Sequence, residues 1–164
     1  MEKGALLEYL PKPVIPFRNS NFSTVTKIDI QEGGSLVYRD NFSCGRIGMG
    51  EKFAFSRYTS LLDIRCAGRI ILHENIHMEP EKLRPDCLGV YEGFTHQAEL
   101  FFLGCLCPDE ESCVQLLAAI PDLEFGLTRT LASGLILRLL GKSSDRLERV
   151  CDAVLRCAIS ATSP

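Results

Sequence analysis

Between residues 24 and 103 apolar and polar positions alternate in short runs, and after Gly104 the repeat lengthens to that of a helix. A period of two marks a strand with one buried face, whereas apolar positions at i, i+3, i+4 and i+7 mark an amphipathic helix. Residues 24–30 put Ile28 and Ile30 on one face and Lys27 and Asp29 on the other. Gln31-Glu32-Gly33-Gly34 then turns the chain into residues 35–40, which predicts a hairpin. Residues 53–58 and 59–65 are rich in β-branched and aromatic side chains. Cys66-Ala67-Gly68-Arg69 supplies a turn into a strand at 70–78, which Pro80 and Pro85 close into a loop. A further strand is predicted at 94–103, where Phe94, Ala98, Leu100 and Phe102 alternate with Thr95, Gln97 and Glu99.

Pro108-Asp109-Glu110-Glu111 places a proline and acidic residues where a helix N-terminus favours them. Cys113, Leu116, Leu117 and Ile120 continue that helix, which ends before Pro121. Residues 134–140 return to strand character and stop at Gly141. In the last helix Asp145 is placed to cap with Glu148 three positions on. Leu147, Val150, Cys151, Val154, Leu155 and Ala158 form its apolar stripe, and Arg146, Arg149, Asp152 and Arg156 its wet side. The predicted architecture is mainly β, of the α+β kind: twisted antiparallel strands with one or two C-terminal amphipathic helices. It forms a single domain over 1–164, β-rich at 1–104 and with an α/β tail at 105–164.

Composition narrows the function classes. A chain of 164 residues can bury one real core. A net charge of -3 without a Lys/Arg stripe offers nothing to a polyphosphate backbone, so nucleic acid is not an expected partner. The apolar run at 135–140, interrupted by Arg138, falls far short of the roughly 20 residues of a membrane helix. The first sixteen residues lack a basic region followed by a long apolar run, and Pro11, Pro13 and Pro16 would break a signal helix. Eight cysteines without such a signal read as thiols in a reducing compartment. The expected location is the cytoplasm.

Candidate chemistry is sparse. Gly141-Lys142-Ser143 lies where a phosphate loop would, but that loop needs another glycine five positions before Gly141, and position 136 is Ile136. His73 and His77 share a strand face about 13 Å apart, too far to grip one ion. His96 reads as a core or edge residue. Cys105, Cys107 and Cys113 lack the paired spacing of a zinc knuckle, and Cys113 belongs to the apolar stripe of its helix. Ser43-Cys44-Gly45 has no nucleophile-elbow frame, and Glu110 and Glu111 suit the helix dipole better than acid/base work. No positioned acid, base and nucleophile set marks an enzyme using Cys105, Cys107 and His96.

Three colinear blocks carry a resemblance. The first is Leu7-Glu8-Tyr9-Leu10-Pro11-Lys12-Pro13-Val14-Ile15-Pro16-Phe17. The second is Gly45-Arg46 followed by Gly50-Glu51-Lys52-Phe53-Ala54-Phe55. The third is Leu137-Arg138-Leu139-Leu140-Gly141 leading into the final helix with Arg156. Together they resemble the UreD (UreH) family of urease accessory proteins, whose members carry a further β-rich N-terminal portion, with a glycine-rich motif, before the first block. The resemblance implies a non-enzymatic scaffold that helps insert nickel into apo-urease, in a cytoplasmic complex with accessory proteins F and G. It implies no tightly bound cofactor, with nickel handled transiently. The residues matching the family's motifs are Pro13, Pro16, Gly45, Arg46, Gly50, Glu51 and Arg138. Glu51, with Asp40 and Arg46 nearby in sequence, is expected on a transient nickel path; equally, Gly45, Arg46, Gly50 and Glu51 form a turn tied by an ion pair. A generic protein-interaction module without a metal role is the alternative. A β fold without its N-terminal strands exposes unpaired edges, so self-association is also expected.

Overall fold

A computed structural model describes residues 4–104, 106–130 and 134–160. Among the described residues, eight strands form two sheets. The first sheet orders β1 (Leu6–Tyr9), β3 (Ser35–Ser43), β6 (His96–Leu103), β8 (Gly134–Gly141) and β7 (Leu123–Thr130) side by side. The second orders β2 (Asn21–Ile30), β4 (Arg57–Cys66) and β5 (Arg69–Met78). Helices α2 (Glu110–Ala118) and α3 (Ser144–Ser160) pack on the outer face of the five-stranded sheet, while α1 (Pro80–Leu83) is a single turn after β5. The predicted mainly β fold with its amphipathic C-terminal helix is therefore the observed one. Strands from both sides of residue 104 build the larger sheet.

This layering explains the burial pattern. The middle strands β3, β6 and β8 are covered on both faces and are buried along nearly their whole length. Toward the helices, Ala98, Leu100, Phe102, Leu137 and Leu139 meet Leu147, Val150, Cys151 and Val154 of α3. Toward the second sheet the interior splits in two. Ile28, Ile30, Leu36, Ile64, Leu72 and Phe101 form one apolar cluster, and Phe42, Phe53, Phe55, Tyr58, Met78 and Tyr91 form the other.

Several expectations need correction. Residues 24–30 and 35–40 are not a hairpin: β2 and β3 lie in different sheets, and the turn at 31–34 crosses from one layer to the other. Ile28 and Ile30 meet Leu36 and Tyr38 face to face across the core, an arrangement that gives the same alternation as edge-to-edge pairing. The sheets are mixed rather than antiparallel, because β1 runs parallel to β3 and β2 parallel to β4. The predicted strand at 53–58 is loop as far as Ser56, with Phe53 at φ 50°. The strand expected at 94–103 starts at His96, since the Phe94 N–H is turned back to the Tyr91 carbonyl. The edge strand β7 went unpredicted, although Leu123, Phe125 and Leu127 alternate with exposed partners.

The last helix starts earlier than its expected cap. The Ser143 carbonyl accepts the Leu147 N–H at 3.1 Å and the Ser143 hydroxyl accepts the Arg146 N–H at 3.4 Å, so Asp145 sits in the first turn. In the first long helix, Asp109 caps by accepting the Ser112 N–H at 2.8 Å. The β4–β5 hairpin forms through Ala67 and Gly68 as predicted, with a bulge at Ile64/Arg65.

Candidate functional site

Two groups of charged side chains stand out, one in a surface turn and one between the sheets. The turn follows β3. Gly45 adopts φ 143°, and a Cβ there would meet the Glu51 carbonyl oxygen at 2.6 Å. Only glycine lets the chain double back so tightly. The short 3-10 turn Ile47–Met49 then brings Glu51 round to Arg46. Arg46 donates from Nε at 2.9 Å and from Nη2 at 2.6 Å to the two oxygens of Glu51. This two-pronged pair is reinforced by the Arg18 backbone N–H, 3.2 Å from Glu51 Oε2, and by Arg18 Nε at 3.8 Å. The Arg46 guanidinium also lies over the Phe17 ring, 4.4 Å from its centre. Hydrogen bonds from Arg46, joined by the Arg18 N–H, hold the Glu51 carboxyl below the usual carboxylate range.

The prolines of the first block flank this turn. Between Pro13 and Pro16, Val14 donates its N–H to the Asn41 carbonyl at 2.9 Å and accepts the Ser43 N–H at 2.9 Å. The loop is thereby tied to the end of β3.

The second group is a polar belt across the inter-sheet interior, between the two apolar clusters. Asp40 on β3 stands opposite Glu99 on β6, which stands opposite Arg138 on β8, which stands opposite Gly126 on β7. Glu74 reaches in from β5 of the other sheet. Arg138 joins the layers: its Nε donates to Glu99 Oε1 at 3.1 Å and its Nη2 pairs with Glu74 Oε1. Gln97 Nε2 donates to the same Glu99 oxygen at 3.0 Å, and the Tyr91 hydroxyl donates to Gln97 at 2.8 Å. Glu74 lies close enough to Glu99 for its charge to disfavour ionisation there.

Asp40, Glu74 and Glu99 lie close together with one half-exposed guanidinium paired to two of them, so the three cannot all be ionised cheaply. Burial, then the neighbouring Glu74 charge, pushes Glu99 up to about 8 despite Arg138. Burial and the same Glu74 charge raise Asp40 to about 6, against the Tyr38 hydrogen bond. The belt therefore favours protons on Glu99 and Asp40 closer to neutral pH than ordinary carboxyls would hold them. At the β7 edge Arg138 and Gln97 border a cavity of ≈ 270 Å³ whose other walls are Glu124, Gly126 and the apolar Val90, Phe125, Leu139 and Leu140. A Cβ added at Gly126 would have nothing within 4 Å, so the mouth is clear.

The expected path residues are thus separated. Asp40 lies in the belt, whereas the contacts of Glu51 are those of the surface turn. Arg138, identified from a motif, lies in the belt too. Glu74 and Glu99 escaped sequence reasoning; the signal available for Glu99 was a charge set in an otherwise apolar run, Ala98 to Leu103. His73 pairs with Asp63 at 2.6 Å across β4 and β5, and His77 with Glu79 at 3.1 Å. His96 Nδ1 lies 2.8 Å from the Thr95 hydroxyl, and burial lowers its pKa against the pull of Asp145. Cys113 is fully buried in the helix-facing core, while Cys105 lies outside the described residues. Lys142 pairs with Asp122 at 3.0 Å.

Comparison with known proteins decides what kind of chain carries these groups. The family model for the UreD urease accessory protein matches residues 1–163. This chain belongs to the UreD urease accessory protein family. The chain is 39% identical over 150 residues to the urease accessory protein UreD of Acetivibrio thermocellus, an alignment covering 90% of this chain and 57% of that protein. It is 31% identical over 143 residues to UreD of Flavobacterium johnsoniae, covering 85% and 52%. Against the urease accessory protein UreH of Helicobacter hepaticus it is 28% identical over 147 residues, covering 90% and 57%. The UreD-family chain thus spans a little over half the length of these curated relatives. Among its described residues no helix is long and apolar enough to cross a membrane.

Proposed function

We propose that this chain serves urease maturation as a non-enzymatic scaffold in the cytoplasm, docking with apo-urease and accessory proteins F and G, and that nickel passes transiently along its inter-sheet belt. Nickel here is cargo. The observation that carries the reading is the row Asp40, Glu99 and Arg138, bridged to Glu74 and opening at the Gly126 edge, in a chain of the UreD family. Hard oxygen ligands that still carry protons hold a divalent ion weakly, as passage requires. Arg138 neutralises the belt while no metal is present and shares its two carboxylates with the incoming ion. Glu51 serves the turn in this reading, since Arg46 and Arg18 already occupy its oxygens.

The experiment is urease activation with all partners present, using chains changed at Glu74→Gln and Glu99→Gln together. The nickel content of urease should fall by about tenfold or more while co-purification with the partners persists. Full nickel loading by that variant would remove the belt from the path. Calorimetric titration of the wild-type chain with Ni²⁺ should show weak uptake that strengthens from pH 6 to pH 8, because the ion displaces protons from Asp40 and Glu99.

A further inference from the structure

The Arg46 turn does more than close on itself: it fixes an apolar, positively charged surface. Residues 14–22 form an open groove of ≈ 340 Å³, lined chiefly by Val14, Ile15, Pro16, Phe17 and Phe22. Ile15 is 46% and Phe17 56% exposed. The Phe17 ring carries Arg46 on its face, so the groove continues directly onto the turn, where Met49 is 73% exposed. A large side chain held this far out by a rigid turn contributes nothing to its own fold. A contiguous patch of this sort marks an interaction site.

Charge says what sits there. Two guanidiniums, those of Arg18 and Arg46, share the single carboxylate of Glu51. Arg46 has five N–H donors, and two of them are used by Glu51. The Glu51 side chain is only 8% exposed, whereas those of Arg46 and Arg18 are 39% and 58% exposed. The acid is hidden, and positive charge faces outward beside the groove. A second carboxylate, supplied from outside, would complete the charge balance.

We propose that the groove at residues 14–22 and the Arg46 turn together form a docking site for an acidic segment of a protein partner, with a carboxylate on Arg18 and Arg46 and an apolar side chain between Phe17 and Met49. The choice of partner in the test rests on the accessory reading above; the surface itself does not. In this arrangement the Gly45-Arg46 and Gly50-Glu51 motif builds a display platform.

The test is co-purification of the full chain with apo-urease and accessory proteins F and G on a sizing column, at about 0.15 M salt, where exposed charges still act over about 8 Å. Met49→Glu and Arg18→Glu should each weaken the complex by about tenfold or more, with thermal melts close to wild type. Arg18→Lys should retain most of it, and raising the salt should weaken the wild-type complex. Undiminished binding by both Met49→Glu and Arg18→Glu, or a complex indifferent to salt, overturns the docking site and leaves the accessory reading standing. Failure of the wild-type chain to bind any of the three proteins overturns both. If sedimentation shows a wild-type dimer that Met49→Glu dissociates, a second copy is the occupant and the acidic partner is wrong.

Discussion

The surface turn and the inter-sheet belt use the same two side-chain types in opposite proportion. In the turn two guanidiniums surround one carboxylate, and the Glu51 pKa falls. In the belt two carboxyls, Glu74 and Glu99, share one guanidinium with Asp40 beside them, and the pKa values of Asp40 and Glu99 rise. Burial alone does not separate them, for Glu51 and Glu99 are both buried. Burial leads the rise at Glu99 and Asp40, with the Glu74 charge adding to it, whereas at Glu51 the hydrogen bonds from Arg46 outweigh burial and keep the carboxylate ionised. The turn is saturated on its acid and short of acid outside. The belt is the reverse.

The largest effect on this comparison should come from Gly45→Ala. The added Cβ would meet the Glu51 carbonyl at a backbone angle hostile to L side chains, so the turn must open. A loss of about 2–4 kcal/mol is expected by urea unfolding. Gly126→Ala, with open space around it, should stay within about 0.5 kcal/mol. Equal stability of the two variants would mean that the turn is not tightly built.

Next comes Arg138→Ala. Removing one partner of a buried pair costs about 3–5 kcal/mol, but Arg138 is half-exposed and Glu99 can stay protonated, so about 1–2 kcal/mol is expected at pH 8. At pH 5 the cost should be smaller, because a neutral carboxyl needs no counter-ion. The sign follows from linkage. Glu99 has a raised folded pKa, so its contribution is fully present below the ordinary carboxylate value and is lost as pH climbs toward about 8. Glu99→Gln should flatten that decline in denaturant titrations run from pH 5 to pH 8. An unchanged slope would show that the belt holds no extra proton.

The smallest effect is expected from Glu51→Gln. Its depressed pKa gives the opposite limb: the stabilisation is present above the ordinary carboxylate value and is lost as pH falls through the folded one. Acid unfolding followed by near-ultraviolet circular dichroism should start from a slightly less stable variant and show a shallower acid dependence. Urease activation should be unchanged, since the amide oxygen still accepts one of the two Arg46 hydrogen bonds and the turn keeps its course. A collapse of activation with the fold intact would return Glu51 to the nickel path.

The two regions were also unequally legible. The whole of the turn's core, Gly45 to Glu51, falls within seven consecutive positions, so its ion pair was readable as one of two outcomes. The belt draws on β3, β5, β6 and β8, and the Glu74–Arg138 contact joins residues 64 positions apart. Glu99 looked like the polar side of a half-exposed strand. It proved to be buried because helices cover one face of its sheet and the second sheet covers the other.

Periodicity by itself determined the elements whose pattern is long or bounded by a turn, and which of their faces are apolar: the stripe of α3, the β4–β5 hairpin and the burial of Cys113 all follow from local spacing. Only the tertiary structure decided which strands are neighbours and which merely face each other across a core. Alternation of period two is satisfied equally by a strand beside its partner and by a strand above it. For that reason the alternation of β2 and β3 fits a hairpin as well as it fits two facing layers, and Asp40, Glu74, Glu99 and Arg138 come together only where the two sheets close on each other.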